Sequence, residues 1–507
     1  MGLVFLALLV FFAVLVLNMV AKHSLNQYER QWEAKGEHFD FASFVPKPVP
    51  DDQNFALTPI VASSYDWLLD KNGHRVFPQK HDDHNRLAME FYDYAVLPYY
   101  PTNEGSWGKG TKTDLKVFQL YYRALAAKTN EFPVAPQMQS PAADVLLALS
   151  KYDANIEELR QAAALPASRF PLNYDTKEPM AILLPHLAAL KHCSQVLQLR
   201  AVAELQNGQR DQAMADVKLM LRLMDSIHTE PILISHLVRI LILQLALQTV
   251  WEGLQDHQWS DSQLMELDRE LAKLDFLADY EFSMREERAA LMPEIERLRH
   301  TRHFEFYLGC SEATKPAEIA LHLLPNSEFY RTELFIAQAH QDWIFPIVDV
   351  GRHSVSPKAA QLAVTNIFNG RLRFSPNYIM PSLLLGVLEL FDSYPIEPDA
   401  KRIAYGQSMA DMARVACALE RCRLAQGAYP QTLDALAPRF IASLPNDVIG
   451  GQPLKYRCTD DGRFALYSVG WNGTDDGGKV FINSSPERFG NLDKGDWVWT
   501  GQVLVSE

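Results

Sequence analysis

Leu466-Tyr467-Ser468-Val469-Gly470-Trp471-Asn472-Gly473-Thr474-Asp475-Asp476-Gly477-Gly478 runs from a strand-like alternation straight into an acid- and glycine-rich loop. Oxygen-bearing side chains spaced by glycines are what a hard cation such as Ca2+ requires of a backbone. Just upstream, 454–458 and 463–468 predict two strands joined by the turn Thr459-Asp460-Asp461-Gly462. Alternation along the second strand puts Phe464 and Leu466 on one face and Ala465 and Tyr467 on the other. Before the strands, 403–425 carries Met409, Met412, Ala416, Leu419 and Cys422 along one helical stripe. Gly427 ends that helix and Tyr429-Pro430 prevents its continuation. Leu433, Leu436 and Phe440 then predict a short second helix packing back.

In this order the elements resemble the globular domain of the major pseudopilin family of type II secretion. The matching residues are Tyr429-Pro430, Leu444-Pro445-Asn446-Asp447, Gly451 with Pro453-Leu454 and Tyr456, and then 466–478 as quoted. The resemblance covers about 400–507 and implies a small α+β domain with a structural Ca2+. It implies Asp475 and Asp476 as carboxylate ligands, Ser468 and Asn472 as further side-chain ligands, and the carbonyls of Leu466 and Val480 as backbone ones. Asp496, ahead of Trp497-Val498-Trp499, would close the site from the last strand. A glycine-rich turn with solvated acids is the competing expectation. Members of that family begin with a processed Gly-Phe-Thr-Leu-x-Glu leader whose span continues into the domain helix. Here that motif is missing, more than three hundred residues separate span and helix, and the metal loop differs in length and composition. Filament assembly by the family's helix packing is therefore not implied.

The run 3–21 is apolar except for Asn18. As a helix it spans roughly 28 Å, close to the hydrocarbon thickness of a bilayer. A cleaved signal peptide would need a basic start and small residues before the cut, whereas nothing basic precedes the run and Met19 sits at the third position back from Ala21. An uncleaved anchor is the expectation. Lys22, Arg30 and Lys35 after the span favour a cytoplasmic body, while the pseudopilin likeness favours an extracytoplasmic one.

The remaining chain, within 507 residues, is too long for one small core and ordinary in composition, with 48% hydrophobic and 22% charged residues. A net charge of −14 and the lack of a basic stripe disfavour nucleic acid. The five cysteines are scattered; Cys417 and Cys422 fall in one helix, roughly 7.5 Å apart along its axis, and read as core residues. Pro and turn residues mark 22–112 as an irregular linker and cap, followed by helical periodicity through 113–398. Asp153 is placed to cap one helix, and Ser260 with Gln263 has capping-box spacing ahead of another. A hairpin is predicted over 197–223, turning at Asn207-Gly208; Ala213 gives it the small-residue spacing of half a tetratricopeptide unit, without a second copy. The apolar run 231–250 contains His236, Arg239, Gln244 and Gln248, and Arg at a bilayer centre costs roughly 2.5–3.5 kcal/mol, so a buried core helix is expected there.

Candidate chemistry in the body is sparse. His74, His81 and His84 with Asp82 and Asp83 form the densest imidazole and carboxylate cluster, in a strongly polar stretch that reads as an exposed loop. Glu286, Glu287, Glu294 and Glu296 alternate with Arg285, Arg288, Arg297 and Arg299 at spacings that suggest surface ion pairs. No phosphate loop, serine-nucleophile elbow, zinc-protease or dinucleotide motif occurs. The expected fold is mainly α: an N-terminal transmembrane helix over 1–21, the irregular region, a large helical domain, and a small pseudopilin-like α+β domain over 399–507. The expected function is a membrane-anchored bacterial envelope scaffold or interaction module, allied to secretion, with unidentified protein partners and its bulk extracytoplasmic. A membrane-tethered hydrolase and a cytoplasm-facing helical adaptor are the alternatives.

Overall fold

The apolar run 3–21 forms the first half of one unbroken helix, α1 (Gly2–Glu33), long and apolar enough to cross a membrane. The computed structural model describes residues 2–65, 68–69, 75–76, 86–90, 92, 101, 105–129, 131–302, 321–372, 396–459, 462–481, 492–500 and 504–506. The apolar half of α1 is exposed, whereas Ala21 and Leu25 are buried against the rest of the chain. Two short turns later, Phe41, Phe55, Ala56 and Ile60 enter the core, so the Pro-rich segment is packed as well as irregular.

The body is built from α2 (Leu115–Ala126), α3 (Pro141–Leu149), α4 (Asp153–Ala163), α5 (Pro185–Gln206), α6 (Arg210–Asp225), α7 (Leu233–Gln255), α8 (Asp261–Leu271), α9 (Phe276–Thr301), α10 (Asn326–Ala339) and α11 (Pro357–Leu372). Local chemistry sets many of their starts. Asp114, Ser140 and Asp275 each accept a backbone N–H at a helix N-terminus, and Ser260 with Gln263 forms the full capping box. Asp153 departs from expectation: it is the first helical residue rather than the cap, and its carboxylate pairs with Arg200 at 3.1 Å. A 3-10 turn over Ser150–Tyr152 leads the chain into α4 and shifts the start by one position. The predicted hairpin is α5 and α6, closed at Asn207-Gly208 with Ala213 fully buried between the helices.

Helix α7 is the second helix apolar enough to cross a membrane, yet most of it is buried inside the protein. Three of its polar residues have partners there. Gln248 accepts the Trp107 N–H at 2.6 Å, Glu252 accepts both the N–H and hydroxyl of Thr113, and Arg239 pairs with Asp279. The segment around 105–113 is thereby strapped along α7.

The charges of α9 correct the sequence reading. Glu286, Glu287, Arg288 and Glu294 are buried rather than part of a solvated face. Arg288 binds Glu37 at 2.7 Å and the His38 carbonyl at 2.9 Å, and Arg285 binds Glu37 at 3.1 Å. Helical spacing predicts neighbours along α9 but carries no information about Glu37, some 250 positions away. The i,i+3 pairs Glu294–Arg297 and Glu296–Arg299 do form. Glu286 is the extreme case: burial, with Glu287 beside it, pushes its carboxyl well above the ordinary range.

The last helix, α12 (Ile396–Gln426), packs on α7, α8, α9 and α11. Gly427 follows with φ +82°, the left-handed conformation a helix C-terminus favours. The second helix predicted around Leu433 is a single 3-10 turn, Leu433–Leu436, that still buries Leu436 and Phe440. Among short pairings, β1 (Leu68–Leu69) meets β2 (Arg75–Val76), and β3 (Val348–Asp349) meets β4 (Ser354–Val355). The C-terminal sheet has the order β5 (Lys455–Cys458), β6 (Phe464–Ser468), β8 (Trp497–Thr500), all antiparallel. Beside it, β7 (Lys479–Phe481) pairs in parallel with β9 (Leu504–Ser506). Leu466 and Phe464 join the main core, while Ala465, Tyr467, Val480 and Val498 form a small cluster on the other face, as alternation predicts.

Glu333 on α10 is buried between α1 and α9. Burial first, then the nearby Glu296 and Glu29, push it up to about 8. A raised carboxyl retains its full stability below the unfolded value of 4.5, and that stability is lost as pH rises toward about 8. Glu333→Gln stays neutral throughout. Its denaturant midpoint should match wild type at about pH 4 and exceed it increasingly toward about pH 9; an offset constant with pH would refute this assignment.

Candidate functional site

Four of the seven ligand positions drawn from the sequence, Asn472, Asp475, Asp476 and Asp496, lie on one hydrogen-bonded loop, which is latched by protein donors. Asp496, just before β8, accepts the N–H groups of Asp476 and Gly478 at 3.2 and 2.6 Å. Asp475 accepts the Tyr467 hydroxyl and the Gly477 N–H, each at 3.1 Å, and pairs with Lys455 at 3.3 Å. Asn472 accepts the Thr474 N–H and donates to Asp476, each at 2.9 Å. Leu466 and Val480 sit within paired strands. Ser468 is engaged elsewhere: its hydroxyl donates to Asp447 at 2.8 Å and accepts the Gly470 N–H.

Asp447, the acid of the Leu-Pro-x-Asp turn, is buried and also accepts the N–H groups of Ile449 and Val469. Burial raises its carboxyl above the ordinary range against the pull of these donors. Asp496 is likewise raised, first by burial and further by the like charges of Asp476 and Asp475. Among the described residues no group of three or more His, Cys, Asp or Glu side chains is placed to hold a metal.

A second constellation has no local sequence signal. A cavity of about 310 Å³ lies where the end of α7, the C-terminal half of α12 and the β5–β6 hairpin meet. Glu420 of α12, only 1% exposed, is held by four donors in its wall. Arg423 approaches through Nε at 2.8 Å and Nη2 at 2.6 Å, the Tyr429 hydroxyl donates at 2.9 Å, and His257 Nδ1 lies at 3.0 Å. His257 follows α7 in the left-handed conformation, φ +53°. The turn there is a Schellman motif, with Gln258 N–H to the Gly253 carbonyl and His257 N–H to that of Leu254. Gly253 has no Cβ because the Trp259 ring crosses it; a Cβ would lie 2.2 Å from the indole nitrogen. Arg463, Phe464 and the fully buried Trp499 complete the wall. Trp499 also meets Trp107 at 5.0 Å between ring centroids.

No family model, curated protein or solved structure matches the chain. His74, His81, His84, Asp82, Asp83 and Cys310 lie outside the described residues. Cys417 and Cys422 are buried free thiols, as read from the sequence.

The latch makes a sharp demand on Asp496. Asp496→Ala removes the acceptor for two backbone N–H groups and should destabilise the protein by about 2–4 kcal/mol in chemical denaturation, with Asp496→Asn losing less. A loss below about 0.5 kcal/mol for the alanine variant would show that the latch does not hold the loop.

Proposed function

We propose that the protein is a membrane-anchored scaffold or interaction module of the bacterial envelope, with its body held outside the cytoplasm and its C-terminal module presented to protein partners. One observation carries the anchoring: α1 is exposed along its apolar half and built into the body along the other. Asn18, the single polar break in the run, accepts the Ser327 N–H at the start of α10, and Lys22 lies over the Tyr330 ring. The bond from Asn18 sets the start of α10 beside the exposed apolar half of α1, and Leu323, just ahead of α10, is exposed as well. The body is thus proposed to rest on the bilayer in one orientation rather than swing on a tether. Sidedness rests on the pseudopilin-like order of elements in 400–507, set against Lys22, Arg30 and Lys35. Protease treatment of spheroplasts expressing the full chain with a C-terminal tag should remove the tag. Protection until the membrane is lysed would overturn the extracytoplasmic placement and favour the cytoplasmic adaptor.

For the loop we propose a structural Ca2+ held by Asp475, Asp476 and Asp496. Support comes from the three carboxylates carried by one latched loop, where burial first and then the like charges of Asp476 and Asp475 raise Asp496, and a cation would relieve that repulsion; the donors already on these oxygens oppose it. A melting temperature of the full protein that rises with Ca2+ over EDTA, and does not rise in Asp475→Ala/Asp476→Ala, is the expected result. Equal midpoints would leave the loop closed by hydrogen bonds alone.

A further inference from the structure

The hairpin β3–β4 is small, yet it touches parts of the molecule that lie far apart along the chain. The chain reaches it through a π-type turn, His340–Ile344, and a 3-10 turn, Phe345–Ile347. Phe345 lies over the guanidinium of Arg288, the residue that holds Glu37. On the other side of the hairpin, the Val355 N–H donates to the Val448 carbonyl at 2.7 Å, next to Asp447. Asp447 in turn holds the Ser468 hydroxyl and the Val469 N–H at the root of the acid-rich loop. The two strands share the rungs Val348–Val355 and Asp349–Ser354, extended by the Ser356 N–H to the Ile347 carbonyl. A pairing this short has little stability of its own, so the hairpin depends on what its tip rests on.

The tip rests on α12 through His353. Asp349 accepts the Arg352 N–H at 2.9 Å and closes the loop, while the Arg352 side chain is 86% exposed. His353 follows in the left-handed conformation, φ +51°, which is uncommon for a residue other than glycine. Its Nε2 stands 3.6 Å from Oδ2 of Asp411, a carboxylate buried on α12. Gln407 Nε2 lies 3.2 Å from the same oxygen, and Arg414 Nη1 lies 3.8 Å from the other. Arg414 is also drawn to Asp268 of α8, at 3.0 Å. Among the described residues, His353 thus faces Asp411 and Arg414 of α12 and Asp275 at the start of α9, with Asp349 and Arg352 on its own hairpin. Its contact with Asp411, helped by Asp275, raises the imidazole above its ordinary value against burial and Arg414. Histidine is the side chain for which such a contact switches near neutral pH.

We propose that His353 is a pH-sensitive clip: charged, it closes the β3–β4 hairpin on α12, and neutral, it lets the hairpin lift and loosens the turn at Val448 that carries Asp447. This device involves neither the anchor nor a metal in the acid-rich loop. A raised imidazole contributes its full stabilisation below the unfolded value of 6.5, and the contribution is lost as pH rises through the folded value. The clip is therefore closed in acid and open in base.

Hydrogen exchange of the full-length protein in detergent, corrected for the pH dependence of intrinsic exchange, reads the clip at peptides covering 347–356 and 446–452. Between about pH 5.5 and about pH 8.5, protection there should fall roughly two- to fivefold, the size of a partly exposed ion pair, while the α5–α6 hairpin keeps its protection. His353→Gln, neutral throughout, should show the low protection at every pH. His353→Lys, charged throughout, should show the high protection at every pH. The proposal is overturned by native protection that does not change with pH, by an equal fall in the α5–α6 hairpin, or by a fall of the same size in His353→Lys. A His353→Gln variant as protected as the native protein in acid would overturn it too.

Discussion

Helix α12 is buried along nearly its whole length and on every side, which forces the rest of the chain to enclose it. A helix with no solvated face cannot dispose of its polar residues in water, and several are matched from neighbouring elements. Gln407 accepts the Phe276 N–H at the start of α9, Arg414 pairs with Asp268 of α8, and Arg421 reaches Asp261 and the Phe440 carbonyl. Glu420 gathers His257, Arg423 and Tyr429. Its aromatic Tyr405 stacks on Trp107 and meets Trp497 of the sheet edge-on. Each such contact is worth little alone. Breaking one strands a buried polar group, and that penalty of about 1–3 kcal/mol is what makes the set specific.

The same logic operates at the other end of the chain. Arg288 of α9 is fully buried, with the Phe39 and Phe345 rings over its guanidinium and Glu37 as its counter-ion. A buried arginine without that carboxylate would be strongly destabilising, so the segment just after α1 is held to the body by electrostatic necessity as well as by Phe41 and Phe44. The anchor helix is thus tied to α9 through Glu37 and to α10 through Asn18.

What could be read from the sequence followed how local each signal is. The capping box at Ser260, the α5–α6 hairpin, the two faces of β6 and the buried character of α7 depend on residues a few positions apart, and all are present. The charges of α9 misled because i,i+3 spacing is satisfied equally by a solvated face and by a buried one with distant partners. Around Leu433 the short helix expected from the apolar spacing is a single four-residue 3-10 turn. In the acid-rich loop the sequence marks the acids but not what holds them: the backbone N–H groups that Asp496 accepts leave no trace in residue identity. The cavity was beyond reach altogether, because His257, Glu420, Arg463 and Trp499 come from four separate segments. Only the histidine where a helix end favours glycine hints at it, and that requires the helix boundary to be known to the residue.

The position of α12 also bears on what the C-terminal module is. A boundary at 399 falls inside this helix, and the core runs without interruption from Phe41 through Leu419 to Trp499. In a free-standing domain of this order of elements, the long helix would offer one face to its sheet and the other to solvent or to a neighbouring subunit. Here β6 and β8 cover one side, and α7, α8, α9 and α11 occupy the other. The face through which a pseudopilin-like helix would meet further copies is filled by the protein's own body. Among the described residues, the sheet meets α12 on one side and the packed helices meet it on the other, so the C-terminal elements and the helical body share one core.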